Sequence, residues 1–311
     1  MRGVGEKLPD PPHPEERSDE GSPLMLLEIK NIKKYFPIQR GFFHKRQGLV
    51  KAVDGVDLQI AAGENLGLVG ESGCGKTTLG RIILRLLAPT AGEIFFEGRE
   101  ITRLPQRAMR PLRKDLQMVF QDPFSSLDPR FSVARIIQEA MTFDLGKTRQ
   151  QKLDRIRHLL SAVRLPANIL NRFPHEFSGG ERQRIALARA LAMNPKLLIL
   201  DEAVSSLDVL IQAQLVDLLL ELQKKLALTY LFISHNLRVV KKIASRIAVM
   251  YQGKIVEWAS AQEIFAQPLH PYTKMLLAAA MEYKAVKPFP LMDFSEHSHL
   301  VDRGHDHWVM S

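Results

Sequence analysis

Three short runs dominated by apolar residues occur along the chain, at Asn65–Val69, 197–200 and 230–233. Runs this short that are apolar at nearly every position are typical of strands buried on both faces of a parallel sheet. Helical patterns over residues 76–87 and 182–193 supply helices that can cover such a sheet. The pattern therefore predicts an α/β fold with a parallel sheet between helical layers.

Two other patterns predict additions to this core. Between Met25 and about Gly63, short segments such as residues 53–58 alternate between apolar and polar side chains, which predicts strands of a small antiparallel β subdomain. A more polar helical pattern between about 122 and 180 predicts an inserted helical subdomain. Residues 1–24 are rich in Pro, Glu, Asp, Arg and Ser, so we expect them to be disordered. They lack the apolar core of a secretory signal peptide, and Met25 is an alternative initiator. The predicted domains are a disordered N-terminal extension (1–24), a main domain (25–265) and a C-terminal extension (266–311).

The composition restricts the kinds of partner. The 311 residues are 45% hydrophobic and 25% charged, as in a soluble protein, and no apolar run reaches the roughly 18 residues of a membrane-spanning helix. The net charge of +9 suits anionic partners, but no Lys/Arg run is dense enough to indicate nucleic acid, so no nucleic-acid partner is expected. Cys74 is the single cysteine, which excludes an internal disulfide and fits a reducing compartment.

A glycine-rich loop follows the first predicted strand. Residues 70–77, GESGCGKT, match the pattern G-x-x-x-x-G-K-[ST], in which backbone N–H groups and a helix N-terminus bind phosphate oxygens. Lys76 would reach the β/γ-phosphates and Thr77 would bind Mg²⁺, so we predict that the chain binds a nucleoside triphosphate. The predicted nucleotide contacts of this phosphate loop are Gly70, Glu71, Ser72, Gly73, Cys74, Gly75, Lys76, Thr77 and Thr78.

Cys74 lies near the N-terminus of the predicted helix, whose dipole is expected to lower the pKa of the thiol. A small residue that merely fills space is the alternative interpretation. Alkylation of Cys74 is expected to block nucleotide binding, and bound ATP is expected to protect it.

Two acids end the second apolar run. Asp201 suits the coordination shell of Mg²⁺, and Glu202 is placed to polarise a water for attack on the γ-phosphate. A pair of solvated carboxylates at a strand end would be the alternative, which the intact phosphate loop disfavours.

A second glycine motif, FSGGE at residues 177–181, precedes the helix predicted at 182–193. Ser178 and Glu181 fit a helix capping box. A cap does not explain Gly179 and Gly180, which weaken the first helical turn by roughly 1 kcal/mol each. Paired glycines allow phosphates of another molecule to approach a helix N-terminus, so the chain is predicted to have two phosphate-receiving helix ends.

With these motifs, residues 26–280 resemble the ATP-binding subunit of an ABC transporter. The resemblance implies a P-loop NTPase core, ATP and Mg²⁺ as ligands, and two such subunits arranged head to tail. Each ATP is then held by the phosphate loop of one subunit and by the FSGGE loop of the other, which accounts for the second motif.

The resemblance also implies roles for single residues. Gln121 is expected to contact the metal and the attacking water, and His235 the γ-phosphate. Asp208 lies in the loop that crosses between subunits, and Phe36 or its neighbour Tyr35 stacks on adenine. The implied catalytic residues are Lys76, Gln121, Glu202 and His235, and the implied Mg²⁺ ligands are Thr77, Gln121 and Asp201.

This chain departs from the family at one position, since the family usually has glutamine where Glu181 stands. A carboxylate near the triphosphate of a partner subunit is electrostatically unfavourable, which predicts a weaker site. It also favours an asymmetric arrangement, so a heterodimer with a second ABC ATPase is expected over a homodimer.

Three peripheral segments, 37–50, 121–130 and 269–274, resemble the oligopeptide/dipeptide importer branch, and more narrowly the second of its paired ATPases. The resemblance implies ATP-driven peptide import at the cytoplasmic face of the cell (inner) membrane. The implied partners are two integral membrane permease subunits and, indirectly, an extracytoplasmic solute-binding protein. Import of nickel, a sugar or an opine is the alternative within this branch.

Other classes fit the sequence less well. A soluble ABC ATPase of translation or DNA repair usually fuses two ATPase cores or carries a long coiled-coil insertion, and this chain has neither. A GTPase would need an Asn-Lys-x-Asp motif, which is absent, and a regulator that binds ATP without cleaving it would not need Glu202 and His235.

The C-terminal tail is rich in histidine and acidic residues, a composition that invites a metal-binding interpretation. No predicted framework fixes ligand geometry there, so we interpret it as an incidental, weakly metal-binding tail. The residues concerned are Glu296, His297, His299, His305, Asp306 and His307.

Overall fold

The computed structural model describes residues 24–40, 45–122, 127–141, 146, 148–282, 289–290, 292, 294, 298–304 and 306–310. The predicted disordered extension lies outside the described residues as far as residue 23, and so do Glu296, His297 and His305. Residues 41–44 and 123–126, which belong to two of the segments that resemble peptide importers, lie outside them as well.

The elements are bounded as follows. The strands are β1 (Met25–Arg40), β2 (Lys45–Ala61), β3 (Asn65–Val69), β4 (Ala91–Phe96), β5 (Arg99–Glu100), β6 (Leu116–Val119), β7 (Leu197–Asp201), β8 (Thr229–Ser234), β9 (Arg246–Tyr251), β10 (Lys254–Ser260), β11 (Leu300–Asp302) and β12 (Trp308–Met310). The helices are α1 (Lys76–Ile83), α2 (Gln106–Met109), α3 (Val133–Ala140), α4 (Arg149–Ala162), α5 (Gly179–Leu191), α6 (Val209–Leu226), α7 (Leu237–Ile243), α8 (Ala261–Ala266) and α9 (Pro271–Glu282). Short 3₁₀ helices cover Pro111–Lys114, Ala167–Ile169 and Pro174–Glu176.

The larger sheet has the strand order β11-β12-β10-β9-β3-β8-β7-β6. Strands β9, β3, β8, β7 and β6 are parallel to one another, and β10, β12 and β11 continue the sheet in antiparallel pairing. Alternate side chains of β7 enter different hydrophobic clusters. Leu198 and Leu200 join one cluster, whereas Leu197 and Ile199 join the other. The predicted parallel sheet with two covered faces is confirmed.

The second sheet is antiparallel, with the order β2-β1-β4-β5, which confirms the predicted antiparallel β subdomain. Its β1–β2 hairpin is paired from the Met25–Ala61 end to the Arg40–Lys45 end, so two long strands occupy the region for which short segments were predicted. Register shifts along the hairpin interrupt the alternation of side chains, and for this reason the sequence pattern reveals only part of it.

Helices α3 and α4 lie within the range 122–180 predicted for the inserted helical subdomain, and both pack against α5. Two predicted helix boundaries are wrong. Helix α1 ends at Ile83 rather than at 87, because Arg85 adopts a left-handed conformation with φ of 53°. Helix α5 begins at Gly179 rather than at 182, because Ser178 is its N-cap.

The C-terminal part of the chain extends the edge of the larger sheet. Strand β12 pairs with β10, which brings Trp308 opposite Trp258, and helix α9 packs against α7. Strands β9 to β12 were not predicted from the sequence pattern. Within the described part of the chain, no helix combines the length and apolar character needed to cross a membrane.

Candidate functional site

The phosphate loop connects β3 to α1 and lies against backbone on two sides. Gly75 has φ of 113°, and a Cβ there would lie 2.1 Å from the Ala52 carbonyl oxygen. Gly70 has φ of 152°, and a Cβ there would lie 2.2 Å from the Met250 carbonyl oxygen. Both positions require glycine, because any side chain would collide with backbone that cannot move aside.

Lys76 is the first residue of α1 and is only 4% exposed. Its Nζ donates hydrogen bonds to the carbonyl oxygens of Gly70, at 2.8 Å, and Glu71, at 2.7 Å. The ammonium group is thus held on the loop itself, where a phosphate bound by the loop would meet it.

A hydroxyl and a carboxylate meet beside the start of α1. The hydroxyl of Thr77 donates to Oδ1 of Asp201 at 2.9 Å, although the two residues come from different elements. Asp201 ends β7 and is 3% exposed. Burial raises the pKa of its carboxyl, and the charge of Glu202 raises it further, while the hydrogen bond from Thr77 lowers it. Hydroxyl and carboxylate oxygens in this arrangement fit the ligand preference of Mg²⁺.

The carboxylate of Glu202 contacts two other residues that were expected at the site, Gln121 and His235. Nε2 of Gln121 donates to Oε2 of Glu202 at 3.0 Å, and Nδ1 of His235 lies 3.2 Å from Oε1. The backbone of Glu202 has φ of 48°, a left-handed conformation that costs a non-glycine residue of order 1 kcal/mol. Its N–H donates to the Ile233 carbonyl at 2.9 Å, which ties this conformation to the end of β8.

The FSGGE loop has the predicted capping box. Oγ of Ser178 accepts from the backbone N–H of Glu181 at 3.4 Å, and Oε2 of Glu181 accepts from the backbone N–H of Ser178 at 2.9 Å. Hydrogen bonds from Ser178 lower the pKa of the Glu181 carboxyl. The bond from its backbone N–H has the larger effect and the bond from its hydroxyl the smaller one. The hydroxyl donates to Oε2 at 2.8 Å, so Glu181 engages the donor that Ser178 could offer to a phosphate.

One of the two glycines has a packing role that sequence reasoning missed. A Cβ at Gly180 would lie 2.5 Å from Cγ2 of Ile211 in α6, so the start of α5 approaches α6 too closely for a side chain. At Gly179 the nearest atom, in Leu207, would be at an ordinary 3.6 Å. No hydrogen bond among the described residues joins positions 178–181 to the phosphate loop of the same chain.

Asp208 caps α6, since its Oδ1 accepts from the backbone N–H of Ile211 at 3.0 Å. The two residues after it, Val209 and Leu210, are 82% and 68% exposed. Large apolar side chains exposed together beside the FSGGE loop form a surface suited to contact with another protein.

The two aromatic candidates differ in their surroundings. The hydroxyl of Tyr35 donates to Asp54. Burial, as the main cause, and the Asp54 carboxylate, as the second, raise the pKa of Tyr35 to about 12. Phe36 has no such anchor and is 38% exposed. It pairs with Val50, on the strand that carries Ala52 to the phosphate loop. Tyr35 pairs with Lys51 on the same strand, so only the greater exposure of Phe36 and its lack of a hydrogen bond favour it over Tyr35 for stacking on a base.

The expected low pKa of Cys74 is wrong. Cys74 is buried, and burial raises the pKa of its thiol, even though the ammonium of Lys76 lies 3.6 Å from Sγ and acts in the opposite direction. Desolvation of the thiolate outweighs the favourable charge and the helix end.

Cys74 in the folded chain is accordingly expected to react slowly with iodoacetamide at pH 7, at least about 10-fold more slowly than in the denatured chain. The rate should increase as the pH rises toward the raised pKa, because only the thiolate reacts. Mass spectrometry of the labelled protein measures both rates, and the guanidinium-denatured chain is the control. Equal rates in the folded and denatured chains would contradict this assignment.

The described histidines of the tail do not form a metal site. His307 is 7% exposed, and its Nε2 lies 2.7 Å from Oε1 of the fully buried Glu257. Over the described residues, no group of three or more His, Cys, Asp or Glu side chains is arranged to hold a metal ion.

Two family profiles match the chain. The profile described as ABC transporter matches residues 53–205, a range that includes the phosphate loop, Gln121, the FSGGE loop and Glu202. The profile described as oligopeptide/dipeptide transporter, C-terminal region, matches residues 256–298.

Curated relatives cover most of the chain. The oligopeptide transport ATP-binding protein AppF of Bacillus subtilis (strain 168) is 51% identical over 255 residues, which are 82% of this chain and 78% of AppF. The oligopeptide transport ATP-binding protein OppF of the same organism is 52% identical over 256 residues, 82% of each chain.

Solved structures have the same fold. CbiO1 from Clostridium perfringens, part of the ABC transporter complex CbiONQ, superposes with a TM-score of 0.67 at 26% identity, over 78% of this chain and 91% of that one. The ATP-binding cassette MJ0796, in a dimeric post-hydrolysis state bound to ADP and Pi, gives a TM-score of 0.67 at 25% identity, over 76% of this chain and 99% of that one.

Proposed function

Because this chain belongs to the ATP-binding proteins of ABC transporters, we propose that it is the ATPase that powers import of oligopeptides or dipeptides. One observation carries the choice of substrate: residues 256–298 match the C-terminal region of oligopeptide/dipeptide transporters. AppF and OppF, which are about half identical to most of this chain, are named for oligopeptide transport. Their names support peptides over nickel, sugars or opines as the substrate.

In this proposal the phosphate loop binds the triphosphate and Phe36 stacks on the adenine. Lys76, whose ammonium also donates to the carbonyls of Gly70 and Glu71, would donate a hydrogen bond to the β- and γ-phosphates. Backbone N–H groups of the loop other than that of Glu71, which donates to Tyr272, would bind the remaining oxygens. The oxygens of Thr77, Asp201 and Gln121 would hold Mg²⁺, which supplies neutralisation of the phosphate charge. The hydrogen bond of 2.9 Å between Thr77 and Asp201 supports this assignment, because the two ligands already converge on one point.

Glu202 is the proposed general base. Its carboxylate would accept the proton of the water that attacks the γ-phosphate. Gln121 contacts one of its oxygens and His235 the other, which restricts the orientation of the carboxylate. His235 is half exposed, so its ring can reach a γ-phosphate beside Glu202.

The FSGGE loop is proposed to complete the ATP site of a second cassette arranged head to tail. Two observations support this: the loop makes no hydrogen bond to its own phosphate loop among the described residues, and Val209 and Leu210 form an exposed apolar surface beside it. Glu181 engages the hydroxyl of Ser178, which would weaken this second site. We therefore propose a heterodimer in which a different ABC ATPase supplies the stronger FSGGE-type loop.

The cassette pair is proposed to lie at the cytoplasmic face of the cell membrane, bound to two permease subunits through the surface around Gln121. ATP binding would close the pair and pull on the permeases, and hydrolysis at Glu202 would reopen it. A solute-binding protein on the other side would deliver the peptide. The proposed domains remain an N-terminal extension (1–24), the ATPase (25–265) and a C-terminal extension (266–311).

Uptake of a labelled tripeptide by cells that lack this chain tests the function. The wild-type chain is expected to restore uptake, and the Glu202→Gln chain, produced at the same level, is expected not to restore it. Uptake of ⁶³Ni²⁺ and of labelled sugars in the same cells is the control for substrate class. Restored nickel or sugar uptake without peptide uptake would contradict the proposal, as would isolation of the chain with ribosomes or DNA instead of membrane subunits.

A further inference from the structure

We propose that Tyr272, which lies in the C-terminal segment, is a positioning residue for the phosphate loop and orients the loop peptide that receives Lys76. Its hydroxyl accepts a hydrogen bond from the backbone N–H of Glu71 at 3.0 Å, across 201 positions of sequence. His270, Pro271 and Tyr272 belong to segment 269–274, which resembles peptide importers. The proposed ATPase chemistry assigns these three residues no role. The inference rests on the proposed role of Lys76 as a phosphate ligand.

One peptide unit of the phosphate loop is hydrogen-bonded on both sides. The carbonyl of Gly70 and the N–H of Glu71 belong to the same peptide. Lys76 donates to the carbonyl at 2.8 Å, and Tyr272 accepts from the N–H at 3.0 Å. The unit is therefore bonded on both sides, and a change in the orientation of its N–H also moves the oxygen that holds the ammonium. Hydrogen bonds in series through a peptide also strengthen one another.

The glycine at this peptide makes an external support necessary. Gly70 has φ of 152°, and in the absence of a side chain its backbone has little intrinsic preference for one orientation. The carbonyl of Met250 lies directly against its Cα on one side. Tyr272 supplies the hydrogen bond that selects a single orientation of the next N–H.

Tyr272 is itself rigidly held. It is 0% exposed, and its ring packs on Tyr251 with centroids 4.3 Å apart and an interplanar angle of 34°. Burial raises the pKa of its phenol, so the hydroxyl stays protonated at any physiological pH. A buried, neutral and tightly packed hydroxyl is a fixed reference point for the loop.

A buried acid anchors the segment that leads into Tyr272. Glu257 is 0% exposed, and its carboxylate accepts from the backbone N–H of Leu269 at 2.7 Å and of His270 at 2.9 Å. Nδ1 of His270 then accepts from the backbone N–H of Tyr272 at 3.2 Å. His307 of the C-terminal tail contacts the same carboxylate at 2.7 Å. The loop is thus connected through hydrogen bonds to the C-terminal strands of the sheet.

The variant Tyr272→Phe tests the proposal, because it removes the hydroxyl and keeps the ring. Tyr251→Phe is the matched control, since Tyr251 packs in the same cluster but its hydroxyl donates to Pro290, at 3.1 Å, rather than to the loop. We expect Tyr272→Phe to raise the Kd for ATP roughly 3- to 10-fold, as the loss of one hydrogen bond predicts. Tyr251→Phe should leave the Kd unchanged, and both variants should have the same unfolding midpoint without nucleotide.

A double-mutant cycle separates positioning from a general structural role. If Tyr272 acts through Lys76, adding Tyr272→Phe to Lys76→Ala should weaken ATP binding by less than about twofold, because the interaction is already lost. Equal affinity of Tyr272→Phe and wild type would overturn the inference, and so would a loss that is fully additive with Lys76→Ala. A wild-type chain that does not bind ATP would instead contradict the proposed function, so the two failures are distinguishable.

Discussion

Replacing Glu202 with glutamine is expected to reduce ATP hydrolysis at least about 100-fold while ATP binding is retained, since loss of a general base typically costs 10²- to 10⁴-fold. An amide cannot accept the proton of the attacking water. It has nearly the same shape as the carboxylate, however, and keeps an oxygen that can accept from Gln121 in place of Oε2. The site should therefore remain assembled and fail only at the chemical step.

Phosphate release under saturating Mg-ATP measures this effect, and titration calorimetry measures the retained affinity. Glu100→Gln is the matched control, because Glu100 is an exposed acid on β5 of the antiparallel sheet. It should hydrolyse ATP at the wild-type rate. Hydrolysis by Glu202→Gln within a few-fold of wild type would show that another group is the base.

Replacing Lys76 with alanine is expected to weaken ATP binding about 10- to 100-fold, in line with the loss of hydrogen bonds to a charged group. The ammonium is the cation that the phosphate loop itself holds, through the carbonyl oxygens of Gly70 and Glu71. Without it, the backbone N–H groups of the loop must bind the triphosphate with no compensating charge from the loop.

Titration of the Lys76→Ala chain with ATP and with ADP measures the loss. Lys224→Ala is the control, since Lys224 is an exposed lysine near the end of α6. It carries the same change in net charge, so it accounts for long-range electrostatic attraction of the nucleotide. Equal affinities of the two variants would mean that the lysine of the loop does not bind the phosphates.

The sequence predicts those parts of the site whose residues are neighbours in the chain. The phosphate loop, the acids at the end of β7 and the cap of α5 all depend on local chemistry, and the structure has each of them in the expected element. The resemblance assigns Gln121 and His235 to the metal, the attacking water and the γ-phosphate, but their contacts with Glu202 are seen only in the structure, because nothing local in the sequence indicates them.

Other features depend on contacts between distant segments and could not be predicted in this way. The raised pKa of Cys74 results from burial, which the helix-end argument could not include. The requirement for glycine at 180 results from the approach of Ile211, and the support of the phosphate loop comes from Tyr272 in the C-terminal segment. Strand β9 has an apolar run at 247–251 that fits the pattern of a buried parallel strand and was overlooked, whereas β11 and β12 are three-residue strands that only their pairing partners define.

The central claim is that ATP brings two cassettes together, with the FSGGE loop of one facing the phosphate loop of the other. The most direct measurement is the molar mass of the Glu202→Gln chain by light scattering, with and without Mg-ATP, at nucleotide concentrations that saturate binding. We expect the mass of a single chain without nucleotide and a doubled mass with Mg-ATP. A mass that stays at one chain while ATP is fully bound, both alone and after mixing with the second ABC ATPase of the proposed heterodimer, would contradict the claim.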